Sequence, residues 1–180
     1  MTRSELKVIF PSATEETWHQ HSNGGGWVQN TATVDDTAFV GPDAVVSGSA
    51  RVFGSARVSG DAHVFGSANV FGSAIVFGSA IVSGSAIVSG SARVYDNAWV
   101  SGIARVSGNT QIFGNAIVSG NACVLEFAVV SGDAQIFGSA LVCGSASVFG
   151  ITQVFGNAIV SGNACVYDNA SVSGDDVISE

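Results

Sequence analysis

From Val28 to Val172 the chain places an aliphatic residue at every sixth position without a slip. That makes twenty-five consecutive hexads, twenty-three opening on Val and two on Ile (Ile112 and Ile136). The prevailing unit is V-[F/S]-G-[S/N/D]-A-x, with Gly third in nineteen hexads and Ala fifth in twenty-two. A helix does not accommodate this pattern. A strict period of six drifts around a helical surface instead of marking one stripe. Each interior glycine would also cost a helix about 1 kcal/mol. Val followed by Gly-Ser, Gly-Asn, Gly-Asp or Asp-Asn reads as a short strand and a tight turn.

Within a hexad the pleat points Val inward and its two neighbours outward, and after the turn Ala points inward again. Three hexads, eighteen residues, close a triangular coil. Coils stack about 4.8 Å apart through backbone hydrogen bonds, so Val falls on Val and the prism fills with aliphatic ladders. The expected fold is all-β: a single-stranded parallel β-helix of about eight coils, roughly 40 Å long. Residues 28–177 form the repeat, 1–27 an N-terminal cap and 178–180 a tail.

The aliphatic and small positions of residues 28–172 resemble the hexapeptide-repeat family, whose unit is [LIV]-[GAED]-x-x-[STAV]-x. This chain departs from it by placing Phe, Ser or Tyr second and Gly third. The segment His21-Ser-Asn-Gly-Gly-Gly-Trp27-Val28, followed by V-G-P-D-A, V-S-G-N-A and V-Y-D-N-A units, is similar to a narrower group of bacterial and prophage proteins labelled acyltransferases. The resemblance implies a left-handed coil. It also implies, under an enzymatic reading, an acyl-CoA donor and a histidine base placed between subunits.

Hydrophobic residues make up 47% and charged residues 11% of the 180 positions, yet Gly, Ser and Asn interrupt every apolar run well short of the ~20 residues that cross a bilayer. Met1-Thr-Arg-Ser-Glu opens no signal-peptide pattern. The expectation is a cytoplasmic protein of bacterial or phage origin. A formal net charge of −8 argues against direct nucleic-acid binding, and the four solenoid arginines form no stripe. The cysteines, Cys123, Cys143 and Cys165, read as free thiols, and no metal-ligand cluster stands out.

In the cap, Leu6–Phe10 is expected as a strand. Ser12-Ala-Thr-Glu15 has capping-box spacing and predicts a short helix to about His21, and Gly24–Gly26 gives a turn. Trp18 and Trp27 are expected to plug the first coil. At the far end Asp175, Asp176 and Glu180 place charge on the last edge, which another subunit is expected to cover.

Function has to come from outward positions. The second and sixth places of a hexad flank one corner, and along one such corner run Phe77/Ile81, Tyr95/Trp99 and Phe113/Ile117, bounded by Ser59/His63 and Ser131/Gln135. This apolar patch is the candidate interface. The alternative is that aromatic ladders only stabilise the stack. A smaller patch, Phe137/Leu141 and Phe155/Ile159, lies on a second corner. Ile103, Phe127 and Ile151 replace polar residues in the fourth place, where a left-handed conformation is expected. His63 near Asp61 is the one candidate base, and no Ser-His-Asp spacing, phosphate loop or carboxylate pair rises above the repeat. Ice binding would need Thr arrays that are absent. Mimicry of a nucleic acid by an acidic rod would need denser charge, although inhibition of a host defence or nucleic-acid-processing protein by ordinary contact stays open. The reading is a non-enzymatic, self-associating interaction module needing no cofactor. The alternatives are a hexapeptide-repeat acyltransferase and a phage-type inhibitor.

Overall fold

The computed structural model describes residues 1–179. Among them one seven-residue helix, α1 (Arg3–Ile9), precedes a succession of strands, most only two residues long. The strands form sheets of ten, nine and eight members. Successive hexads visit the three sheets in turn, and from Trp27 onward neighbours within a sheet are parallel and eighteen residues apart, as Trp27↔Val45 and Val45↔His63 show. The chain is an all-β parallel solenoid of about eight turns. Among the described residues no helix is long and apolar enough to cross a membrane.

First-place Val and fifth-place Ala fill the interior, fully buried from Ala38 to Val160. Each Val so buried contributes about 1.5–3 kcal/mol relative to exposure. Thr110 and Thr152 occupy two Ala positions, and each buries a hydroxyl with no hydrogen-bond partner among the described residues.

The corners correct one expectation. From the hexad of Val46 onward positive φ falls on the third place, not the fourth: on Gly102 (φ 68°) and its equivalents, and on Asp96, Glu126 and Asp168, which stand where those hexads lack glycine. Two of these acids recover a backbone partner, since Gly114 N–H donates to Asp96 Oδ2 at 3.2 Å and Gly144 N–H to Glu126 Oε2 at 2.7 Å. Ile103, Phe127 and Ile151 therefore carry no backbone strain. They project from three different corners, each more than half exposed.

The cap also differs from expectation. Leu6–Phe10 is not a strand, because Thr2 and Glu5 form the capping box that starts α1. No helix follows Pro11: residues 15–17 turn, and β1 (Trp18–Gln20) pairs antiparallel with β2 (Trp27–Gln29). Backbone bonds offered by the open edge of β2 outweigh a local helix signal over Thr17, Trp18 and His19. The loop between β1 and β2 covers a second edge, with Val40 N–H donating to Asn23 O at 3.0 Å and Gly26 N–H to Val40 O at 2.9 Å. Trp18 and Trp27 do not plug the ladder. They lie on the outer side of the ten-stranded sheet, packed with Leu6, Ala13 and Val45. At the other end Ile178 and Ser179, expected in a tail with Glu180, continue from Val177 as a strand paired with Ile159–Ser161. Glu180 lies outside the described residues. Asp175 accepts from Asn157 Nδ2 at 3.0 Å and Asp176 from Ser173 N–H at 3.2 Å.

Candidate interaction face

Residues on either side of an inward Val project from the same sheet face, whereas residues across a turn belong to different faces. This splits both apolar patches. Phe77, Tyr95 and Phe113 stand on the eight-stranded sheet, while Ile81, Trp99 and Ile117 stand on the ten-stranded one. Phe137 and Phe155 share the ten-stranded face with Trp99, and their expected companions Leu141 and Ile159 pair on the nine-stranded sheet.

The aromatic residues divide accordingly. Phe77 stacks on Tyr95 at 4.8 Å between ring centroids and Tyr95 on Phe113 at 4.9 Å, both within 6° of parallel. Their ring faces are consumed by one another, at roughly 0.5–1.5 kcal/mol per contact, and the Tyr95 hydroxyl donates to Gln111 Oε1 at 3.2 Å. Phe53–Phe71 and Phe137–Phe155 stack in the same way at 4.8 and 4.9 Å. Trp99 is different. Its neighbours in register are the half-buried Ile81 and Ile117, and its indole Nε1 donates to Ser83 Oγ at 3.1 Å. The ring leans over Ser83, which is 5% exposed, and Trp99 itself stays 44% exposed.

The outward positions of the ten-stranded sheet from Val45 to Ser173 include no Asp, Glu, Lys or Arg, and His63 is their single titratable group. Arg51 and Arg105 belong to the nine-stranded sheet, Arg57 and Arg93 to the eight-stranded one. On these sheets Arg57 and Arg51 lie over Phe39 and Phe53, 4.5 and 5.6 Å from the ring centroids. The sequence reading missed the uncharged face, and with it Phe65, which is 38% exposed there. Grouping the two neighbours of each Val, rather than residues across the turn, is the signal that finds it.

His63 sits half-buried between Val45 and Ile81 in register. Burial lowers its pKa below the usual 6.5, opposed by the charge of Asp61. No hydrogen bond joins the two among the described residues, so Asp61 does not orient the His63 ring. The three cysteines are free, and burial together with Glu126 raises the pKa of the Cys143 thiol. Among the described residues no three His, Cys, Asp or Glu converge on a metal position. An open depression of about 590 Å³ lies in the cap, lined by Arg3, Glu15, Trp18, His19, Gln20 and Trp27 among others, away from His63 in the lining.

A family model described as the YdcK beta solenoid repeat matches residues 111–126. No curated protein and no solved structure matches the chain. The matched hexads have the same inward Val or Ile, outward pair and turn as the rest of the prism. The chain is thus a β-solenoid repeat protein.

Proposed function

We propose that this solenoid is a non-enzymatic protein-interaction scaffold that associates with itself through the ten-stranded face around Trp99. The observation that carries the reading is a large, 44% exposed indole on a face free of formal charge. Exposed aromatic residues in an uncharged setting are the usual anchors of protein contacts. The left hand of the coil and a cytoplasmic, bacterial or phage origin come with the resemblance and belong to the same proposal. The stacked Phe77, Tyr95 and Phe113 brace the adjoining corner, and Leu141 with Ile159 offers a secondary apolar surface for another partner.

Sedimentation tests this reading. Trp99→Glu places a charge where a hot-spot residue typically contributes 2 kcal/mol or more, so the dissociation constant should rise about 30-fold. The variant should sediment as a lighter particle with an unchanged circular-dichroism spectrum, because the side chain points away from the core. An unchanged mass would remove Trp99 from the contact surface. The acyltransferase alternative makes the opposite demand: thiol release from acetyl-CoA that is abolished in His63→Ala. Such turnover would overturn the scaffold reading.

A further inference from the structure

The nine solenoid strands of the ten-stranded sheet form rungs, from β2 as rung 1 to Ser171–Val172 as rung 9. Building on the self-association reading, we propose that a second copy lies antiparallel on this face. The two-fold axis runs along the strand direction at rung 6, Ile117–Val118, and brings the Trp99 indole of each copy against the partner's Phe137–Phe155 stack.

Three features agree on that axis. The first is steric. Leu6 of α1 packs on Trp27 and Val45, and Val45 and Ser47 are 1% and 8% exposed although they point outward. The helix thus occupies rungs 1 and 2 and stands about 10 Å proud of the sheet. Parallel copies would set α1 against α1 at the same height. Antiparallel copies avoid this by overlapping rungs 3 to 9, whose midpoint is rung 6.

The second feature is the position of the apolar surface. Trp99 on rung 5 leans over Ser83 on rung 4, and the Phe137–Phe155 stack spans rungs 7 and 8. Their midpoint is again rung 6. The third is the pattern of the column that follows the inward Val. Turned about Ser119, Phe65, Phe137 and Phe155 fall opposite Ser173, Ser101 and Ser83. Within this column each phenylalanine falls opposite a serine, and the Trp99 indole that covers Ser83 is the surface Phe155 meets. Moving the axis half a rung toward the N-terminus sets Phe65 against Phe155, and the opposite half-step leaves Phe65 uncovered.

Electrostatics permits the arrangement. A chain of net charge −8 repels its copy over most of its surface, and this face adds no formal charge to that repulsion. Seven rungs about 4.8 Å apart on a face about 17 Å wide cover about 570 Å² per copy. Roughly 1,100 Å² in total is the low end of specific interfaces, so the dimer should be weak and concentration-dependent.

Distances between spin labels on the two copies test the orientation. Nitroxides are placed singly through Ser67→Cys, Asn121→Cys and Asn157→Cys, turn positions along one corner beside rungs 3, 6 and 8, with Cys123, Cys143 and Cys165 changed to Ser. The proposal expects the shortest separation at Asn121. The axial component should grow by about 10 Å per rung, to about 19 Å at Asn157 and about 29 Å at Ser67. Adding Trp99→Glu should abolish the coupling at Asn121. Equal distances at all three positions, or a minimum at another rung, overturn the antiparallel arrangement while leaving self-association intact. A wild-type chain that sediments as a monomer at high micromolar concentration overturns both.

Discussion

Gly102→Ala should be far more damaging than Gly54→Ala, although the two glycines occupy the same place in their hexads. Both hold the left-handed region, at φ 68° and 71°, which costs an alanine about 1 kcal/mol in either position. The difference lies in the coil above. A Cβ on Gly54 would meet Gly72 O at 3.3 Å and N at 3.4 Å, contacts that slight relaxation absorbs. A Cβ on Gly102 would lie 2.7 Å from Gly120 O and 2.8 Å from its N. Those are backbone atoms held in the coil stack, so two coils must part by about half an ångström, a strain comparable to overpacking a core at about 1–3 kcal/mol. The expected losses are about 1 kcal/mol for Gly54→Ala and about 3 kcal/mol for Gly102→Ala. With a urea slope of about 2 kcal/mol/M the midpoint should fall by about 0.5 M in the first case and about 1.5 M in the second. Urea unfolding followed by circular dichroism reads this directly. Equal shifts would mean that φ alone dictates glycine here and that close approach between coils contributes nothing.

Further outcomes can be measured on the same material. Thr110→Val removes an orphaned buried hydroxyl while keeping its shape, so it should raise stability by about 1–2 kcal/mol; a lower melting temperature would show that the hydroxyl has a partner. Burial lowers the His63 pKa, so the unfolded chain takes up the proton first as pH falls. Its stabilising contribution is present above about pH 6.5 and is lost as pH falls through the folded-state value, and His63→Gln should flatten that dependence. A proton-resonance titration of the ring with a midpoint at or above 6.5 would contradict this. Cys165 is exposed, and the Cys143 thiol is held protonated by its surroundings. Cys165 should therefore react first with an aromatic disulfide reagent, and the reverse order in mass-mapped adducts would refute the assignment.

The repeat was legible because each hexad states its own geometry. Val88 or Val142 needs no distant information to point inward, and Gly needs none to turn the corner. The cap was less legible because two capping-box spacings compete there. Thr2–Glu5 starts a helix, whereas Ser12–Glu15 yields to a strand that the exposed edge of β2 recruits. The interaction face was only half legible. Trp99, Phe137 and Phe155 stood out as outward apolar residues, but pairing them with Tyr95, Leu141 and Ile159 joined residues across turns. The period supplies the column of each residue; which columns share a plane depends on where the backbone bends.

The sequence by itself determined the parallel coil, its eighteen-residue turn, the inward Val and Ala, and the outward set, because period and pleat are local properties of the chain. Only the tertiary structure decided that Trp99 shares an uncharged face with Phe65, Phe137 and Phe155, and that α1 closes the first two rungs of it. Those facts depend on the direction of each turn and on what packs over Trp27 and Val45. Side chains separated by tens of residues meet there through stacking that no single hexad encodes.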